Sequence, residues 1–221
     1  MRGELGTAAL AASAVSTFRA HGLVRRELHP LFILGVASAY EGDVDAGRRA
    51  LRRMLDLAVT AGDVYFEVMA YFGTVLVEVD FGDVDAAAEA GLQSLRRNQR
   101  IDARLVTAFL IDSLAWVADA QGDHLRAATL FGAAAAIWDS AGAKPDIAVS
   151  IPHRRHRKST RTALGDTQFD AAHAAGRALP TDAAIRYALG ETTTDAVALD
   201  ATRYPRSANA SRRSRTWSPT G

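Results

Sequence analysis

A Gly-Asp pair returns every 40 residues along this chain, and that spacing constrains the fold more than any other feature. Glu41-Gly42-Asp43-Val44-Asp45-Ala46 recurs as Phe81-Gly82-Asp83-Val84-Asp85-Ala86. It returns more loosely as Gln121-Gly122-Asp123-His124-Leu125-Arg126-Ala127, and Gly62-Asp63 punctuates the first interval midway. A constant period of this size marks a stacked supersecondary unit. The dipeptide suits a corner between two helices. Glycine takes the left-handed conformation that ends one helix without steric cost. Aspartate then accepts a hydrogen bond from an orphan amide at the start of the next. Asp45 and Asp85 add negative charge in that first turn, where the helix dipole favours it. Gly42-Asp43, Gly82-Asp83 and Gly122-Asp123 are therefore read as structural hinges.

Between these corners the apolar residues keep helical spacing. A helix is predicted from Asp63 to Phe81, with Phe66, Met69, Ala70, Phe72, Gly73 and Val77 on its buried face. Asp83 opens the next, which Arg96-Arg97-Asn98 is expected to end in water. Ile101–Ala120 carries Leu105, Ala108, Phe109, Asp112 and Trp116 in an i, i+3, i+4 pattern. Asp123–Ser140 carries Ala127, Leu130, Phe131, Ala134, Ile137 and Trp138, and stops at Gly142 and Pro145. Upstream, Leu5–Ala20 and Pro30–Tyr40 read as helices, with Pro30 in a first turn. No segment alternates like a strand. The fold class expected is all-α.

Composition narrows the function classes. The 221 residues are 48% apolar, enough for a core, and contain no cysteine, so disulfides, thiolate metal sites and cysteine nucleophiles are out. The uncharged stretch Leu5–Phe18 is too sparsely apolar, and too close behind Glu4, to read as a signal peptide. No uncharged run has the roughly 18–20 residues that a membrane helix needs. A cytoplasmic protein without membrane contact is expected.

Charge is segregated behind a formal net of +1. Arg154, Arg155, Arg157, Lys158 and Arg161 form one basic cluster, and Arg203, Arg206, Arg212, Arg213 and Arg215 another. Without those ten, 16 basic residues face 25 acidic ones, a net of −9. The first cluster is a candidate contact for nucleic acid or an acidic partner. Neither cluster interleaves aromatics as single-strand binders do, so a solvated helix face and a disordered tail are the favoured readings.

The third unit resembles tetratricopeptide hairpins, because Gly122-Asp123 is followed by Ala127, Phe131 and Ala134, that family's small, aromatic and small positions. The second unit keeps Ala87 but has Gly91 at the aromatic position, and the first has Gly47 and Leu51. The period also exceeds the 34 residues usual for such repeats. The resemblance implies antiparallel helical hairpins stacked as a short solenoid, with a disordered C-terminal tail. Residues 1–142 would form the array, 143–190 the helices closing it, and 191–221 a linker and tail.

A more specific resemblance covers roughly residues 120–190. Ala127-Ala128-Thr129-Leu130-Phe131-Gly132-Ala133-Ala134, Leu164-Gly165-Asp166-Thr167-Gln168-Phe169-Asp170-Ala171-Ala172, Gly176-Arg177-Ala178-Leu179 and Ala183-Ala184-Ile185-Arg186-Tyr187-Ala188-Leu189 follow in order. That set resembles the end of the helical-repeat region in large actinobacterial LuxR-type ATPase regulators, some fused to a cyclase domain. The resemblance implies a transcriptional regulator's interaction or sensor segment. It also implies an ATPase module before it and a helix-turn-helix after it. Neither a G-x-x-x-x-G-K-[ST] loop nor a helix-turn-helix after Glu191 is present. The expectation is a chain truncated at both ends. Codons from Pro205 to Gly221, shifted by one base, permit a string resembling the opening of a LuxR helix-turn-helix, as a frameshifted gene would.

His153-x-x-His156 lacks the i, i+4 spacing and adjacent glutamate of a helical zinc site, and is read as part of a solvated basic helix. His21, His29, His124 and His173 fall near predicted helix ends, where they complement termini or face water. Asp112, amid Phe109, Ile111, Leu114 and Trp116, is expected on an exposed helix face, with a buried polar contact as the alternative, and Trp116 and Trp138 in the core. No Gly-x-Ser-x-Gly elbow occurs. The reading is a non-enzyme without catalytic, cofactor or metal residues. Its partner would be a protein or small effector on the concave repeat face, and DNA contact is not expected without the helix-turn-helix. The alternative is a DNA-binding regulator using the basic helix near 154–161.

Overall fold

A computed structural model describes residues 6–143 and 147–191. Nine helices occur among the described residues, and no strand. They are α1 Thr7–Ala20, α2 Val24–Tyr40, α3 Val44–Ala61, α4 Val64–Phe81, α5 Val84–Asn98, α6 Arg104–Ala120, α7 His124–Ser140, α8 Ile147–Arg177 and α9 Thr181–Ala188. The protein is all-α. Among the described residues no helix is long and apolar enough to cross a membrane. Glu4, Pro145 and residues 192–221, with the tail arginines and the shifted reading from Pro205, lie outside the described residues.

The 40-residue period appears directly in the helix starts. α2, α4 and α6 begin at residues 24, 64 and 104, and α3, α5 and α7 at residues 44, 84 and 124. From α1 to α8 each helix packs against the next, and α9 packs on α6 and α7. The even-numbered helices also touch one another from α2 to α8, so they form a layer of their own.

The aspartates of the corners cap the helices that follow. Asp43 accepts from the Ala46 amide at 2.9 Å, Asp63 from Phe66 at 3.4 Å, Asp83 from Asp85 at 2.8 Å and Asp123 from Arg126 at 3.1 Å. Gly42, Gly62 and Gly122 have positive φ, as a helix stop requires. Gly82 departs from that expectation, because its φ is −143°. A side chain there would collide with the Glu78 carboxylate and the Arg48 guanidinium. Glu78 accepts two hydrogen bonds of 2.7 Å from Arg48 and one of 3.1 Å from the Asp83 amide. Here glycine makes room for an ion pair. It is not needed for a left-handed turn.

Two helix starts, and the surroundings of one helix end, differ from those expected. α2 starts six residues earlier, placing Pro30 at its seventh residue and not in its first turn. The burial of Glu27, Leu28 and Leu31 accounts for the extension, since the turn before Pro30 carries core contacts. α6 begins at Arg104, after a turn through Ile101 and Asp102 in which Asp102 has a φ of 47°. Asn98 does not end α5 in water, because it is 1% exposed and closes this corner itself. Its side-chain amide donates to the Thr107 hydroxyl at 2.8 Å and to the Ala103 carbonyl at 3.3 Å. Arg97 likewise turns back onto Glu67, at 2.9 Å.

The core centres on α6, which is buried from Thr107 to Asp119, apart from the half-buried Phe109, by α4, α5, α7, α8 and α9. Trp116, Leu110 and Ile111 of α6, with Leu130, Phe131 and Trp138 of α7, make the main cluster. Leu105, placed by periodicity on the buried face, is exposed. Phe32, Phe72, Phe109 and Trp138 form a ladder of ring contacts from α2 to α7, with centroids 6.4, 6.2 and 4.4 Å apart.

Candidate functional site

The basic segment lies on the first stretch of α8, before the break at Gly165, whose φ is 74°. This stretch crosses α6, and its histidines point inward. His153 Nδ1 sits 2.8 Å from Asp112 Oδ2, and His156 Nδ1 sits 2.9 Å from Asp119 Oδ2. The Asp119 carboxylate also meets His124 Nδ1 at 3.0 Å and the Thr160 hydroxyl at 2.8 Å. The imidazoles lie against aromatic faces, His153 edge-on to Phe131 and His156 stacked on Trp116.

Two expectations are corrected here. Asp112 is 1% exposed and not on a solvated face. His153 and His156 belong to the packed side of α8 and not to a solvated basic surface. The reason is that Asp112 and Asp119 lie in the enclosed stretch of α6, so each carboxylate must meet a partner. Burial pushes the Asp112 carboxyl above its ordinary range, and the hydrogen bond from His153 opposes that.

The 40-residue register shows what is unusual about α6. Positions 32, 72 and 112 are Phe, Phe and Asp, and positions 39, 79 and 119 are Ala, Val and Asp. Where α2 and α4 present apolar side chains, α6 presents two carboxylates, and these receive α8. A second series, 27, 67 and 107, is buried in every unit as Glu, Glu and Thr. Its partners are Arg53 at 2.9 Å, Arg97 at 2.9 Å and Asn98 at 2.8 Å. Sequence reasoning missed both series, although the period that exposes them was already in view.

Arg155 extends the network outward. Its guanidinium pairs with Asp80 on α4 and donates to His156 Nε2 at 3.0 Å. With Nε2 accepting, His156 donates from Nδ1 to Asp119. Asp80 also accepts from the Tyr40 hydroxyl at 2.6 Å. Burial first, and then Asp80, pushes the Tyr40 phenol above its ordinary pKa. One connected polar network thus runs through Tyr40, Asp80, Arg155, His156, Asp119 and His124.

The remaining basic residues separate. Arg157 lies over the Phe169 ring, 5.3 Å from its centroid. Arg161 lies over the same ring and donates to Asp166 and Asp170 at 2.6 Å each. Arg154 and Lys158 are exposed and have no ion-pair partner among the described residues. Lys158 lines a groove of about 470 Å³ with His124, Arg155, Ser159, Thr162 and Ala163. His173, expected near a helix end, is half-buried against Phe169 at 5.6 Å between centroids. Burial, aided by Arg157 and Arg177, lowers its pKa to about 4.

The arrangement holds charge in place more than it offers reactive groups. Among the described residues no hydroxyl side chain hydrogen-bonds to the ring of His153 or His156. No group of three or more His, Asp or Glu among them is placed to hold a metal ion. The chain matches no family model, no curated protein and no solved structure. What it does must therefore be argued from its own residues.

Proposed function

We propose that this chain is a non-enzymatic helical-repeat interaction or sensor segment of the kind that LuxR-type regulators carry. Its hairpins stack in the tetratricopeptide manner, and its place is the cytoplasm. The observation that carries this reading is the register of helix starts at 24, 64 and 104 and at 44, 84 and 124. Such an array leaves one helix from each hairpin facing a shared surface, which is how helical repeats take partners. Exposed apolar residues recur on that layer at the same register, Tyr65 on α4 and Leu105 on α6. Scattered exposed apolar residues need no explanation; the recurrence of two at equivalent positions of adjacent units is what supports a shared contact face in this reading.

Copurification of the tagged full chain with a cellular protein tests this. A specific partner should be lost in the double variant Tyr65→Glu, Leu105→Glu and kept in Val59→Glu, which alters an exposed apolar residue of α3. Retention of the partner by the double variant would count against the face. DNA binding through the segment 154–161 has less support, because Asp80, the Phe169 ring and the Asp166–Asp170 pair occupy Arg155, Arg157 and Arg161. A salt-sensitive shift of duplex DNA by the full chain would reverse that preference.

A further inference from the structure

The two ends of the even-numbered helices carry opposite charge. At their starts, contacts between neighbours bring α2, α4 and α6 to one edge of the array. Arg25 reaches Asp63 at 2.7 Å, Arg97 reaches Glu67 at 2.9 Å, and Asn98 reaches Thr107 at 2.8 Å. Leu23, Val24, Tyr65, Ile101 and Leu105 are exposed along this edge. Its carboxylates are mostly spent, Glu27 on Arg53, Asp63 on Arg25 and Glu67 on Arg97, which leaves Asp102. Arg26, Arg100 and Arg104 are exposed and have no ion-pair partner among the described residues. The edge is apolar, with positive charge to spare.

The opposite edge holds the corners after α2, α4 and α6. Glu41, Asp43, Asp45, Asp83, Asp85 and Asp123 are exposed there, and residues 40–45, 80–85 and 120–125 contain no lysine or arginine. Arg48 meets Asp45 at 3.3 Å but is held chiefly by Glu78. Arg155 of α8 is spent on Asp80, and Lys158 lies by the third corner, beside His124. Between the first two corners the exposed rings of Tyr40 and Phe81 meet edge to face, 4.9 Å between centroids. This edge is acidic around an aromatic pair.

Both edges repeat with the 40-residue unit, so acidic corners of one chain fall in step with basic helix starts of another. A single chain cannot join its own two edges, because the 17 residues of α2 hold them roughly 25 Å apart. We propose that a second copy of this chain is the partner of the Tyr65–Leu105 edge, docked through its acidic edge around Tyr40 and Phe81. The aromatic pair meets the exposed apolar residues, and Asp45 and Asp85 meet Arg26, Arg100 and Arg104. Such a contact is heterologous, so each added copy leaves one edge of each kind free and the assembly grows with concentration. The proposal rests on the reading of Tyr65 and Leu105 as a contact face, and names its occupant.

Sedimentation velocity of the full chain over a concentration series at low ionic strength tests this. The mean sedimentation coefficient should rise with concentration and fall back towards the monomer value in about 0.5 M salt. The triple variant Arg26→Glu, Arg100→Glu, Arg104→Glu makes both edges acidic, and Asp45→Lys, Asp85→Lys makes both basic. Both should melt with the parent, since neither set removes a helix cap or a buried pair. Each alone should self-associate at least about tenfold more weakly than the parent. Mixed in equal amounts they should associate again, because each supplies the edge that the other lacks. A parent that stays monomeric at every concentration would overturn the proposal, as would a mixture no larger than its components. Association of parental strength in either charge-reversed variant would do the same. If the parent stays monomeric, yet a different cellular protein is lost in Tyr65→Glu, Leu105→Glu, the contact face stands and the second copy is ruled out as its occupant.

Discussion

Gly132 on α7 and Gly176 on α8 interlock where these helices cross. A β-carbon on Gly132 would overlap the carbonyl oxygen of His173, and one on Gly176 would overlap the carbonyl oxygen of Thr129. The obstructing atoms are backbone on both sides, so neither clash is relieved by a rotamer change. The role of both glycines is close helix approach.

Gly132→Ala and Gly176→Ala should each destabilise the protein by about 2–3 kcal/mol, the upper part of the range for overpacking in a close-packed interior. For a described region of this size that corresponds to a melting point lower by about 5–10 °C. Thermal unfolding followed by circular dichroism checks it. Parental melting of both variants would mean that α7 and α8 do not cross this closely.

The Asp112–His153 pair occupies a position where the preceding units hold Phe32 and Phe72. Breaking it with Asp112→Leu or His153→Leu alone should cost about 2–4 kcal/mol, because the surviving polar group stays buried without its partner. The double variant should return to within about 1 kcal/mol of the parent. Urea unfolding of the four proteins closes the cycle. Additive losses would show that the two side chains do not act as a pair.

His173 predicts an acid dependence of definite sign. Its pKa is lowered from 6.5 to about 4 in the folded chain, so the unfolded chain binds the extra proton first. Stability is therefore present above pH 6.5 and is lost as pH falls from there towards 4. Discounted for the ring's partial exposure, the loss between pH 7 and pH 5 is about 1 kcal/mol. Urea midpoints at the two pH values, compared between the parent and His173→Gln, measure it. An unchanged difference in the variant would assign the dependence to other groups.

Ala127 is fully buried at the start of α7, against the enclosed face of α6. Ala127→Asp puts an unpaired carboxylate there and should cost about 3–5 kcal/mol. A substantial loss of cooperative unfolding, read by near-UV circular dichroism, is the expected outcome. Near-normal melting would contradict the packing of the third hairpin.

Much of the helical architecture was legible in the primary structure, since its determinants are local. A glycine and an aspartate at each corner act within a few residues, and so Asp63, Asp83 and Asp123 marked the starts of α4, α5 and α7. Where the corner is made by a distant contact the reading failed. Asn98 closes the α5–α6 turn by reaching Thr107, and Gly82 is needed for the Arg48–Glu78 pair, neither of which has a local signature.

The polar network was not legible at all, and the reason is geometric. A run such as His153-Arg154-Arg155-His156-Arg157-Lys158 looks like a solvated face until a second helix is laid beside it. Asp112 and Asp119 become interior only because five other helices enclose α6, a condition that no window on the chain contains. By itself the amino-acid order determined the period, the caps and the all-α class, since each follows from hydrogen bonding and steric freedom near one residue. Tertiary packing alone decided which charges are spent inside, on Asp80, Asp112 and Asp119, and which, like Lys158, still face outward. Pairing of buried charge depends on distances across the fold, and those exist only after the helices have met.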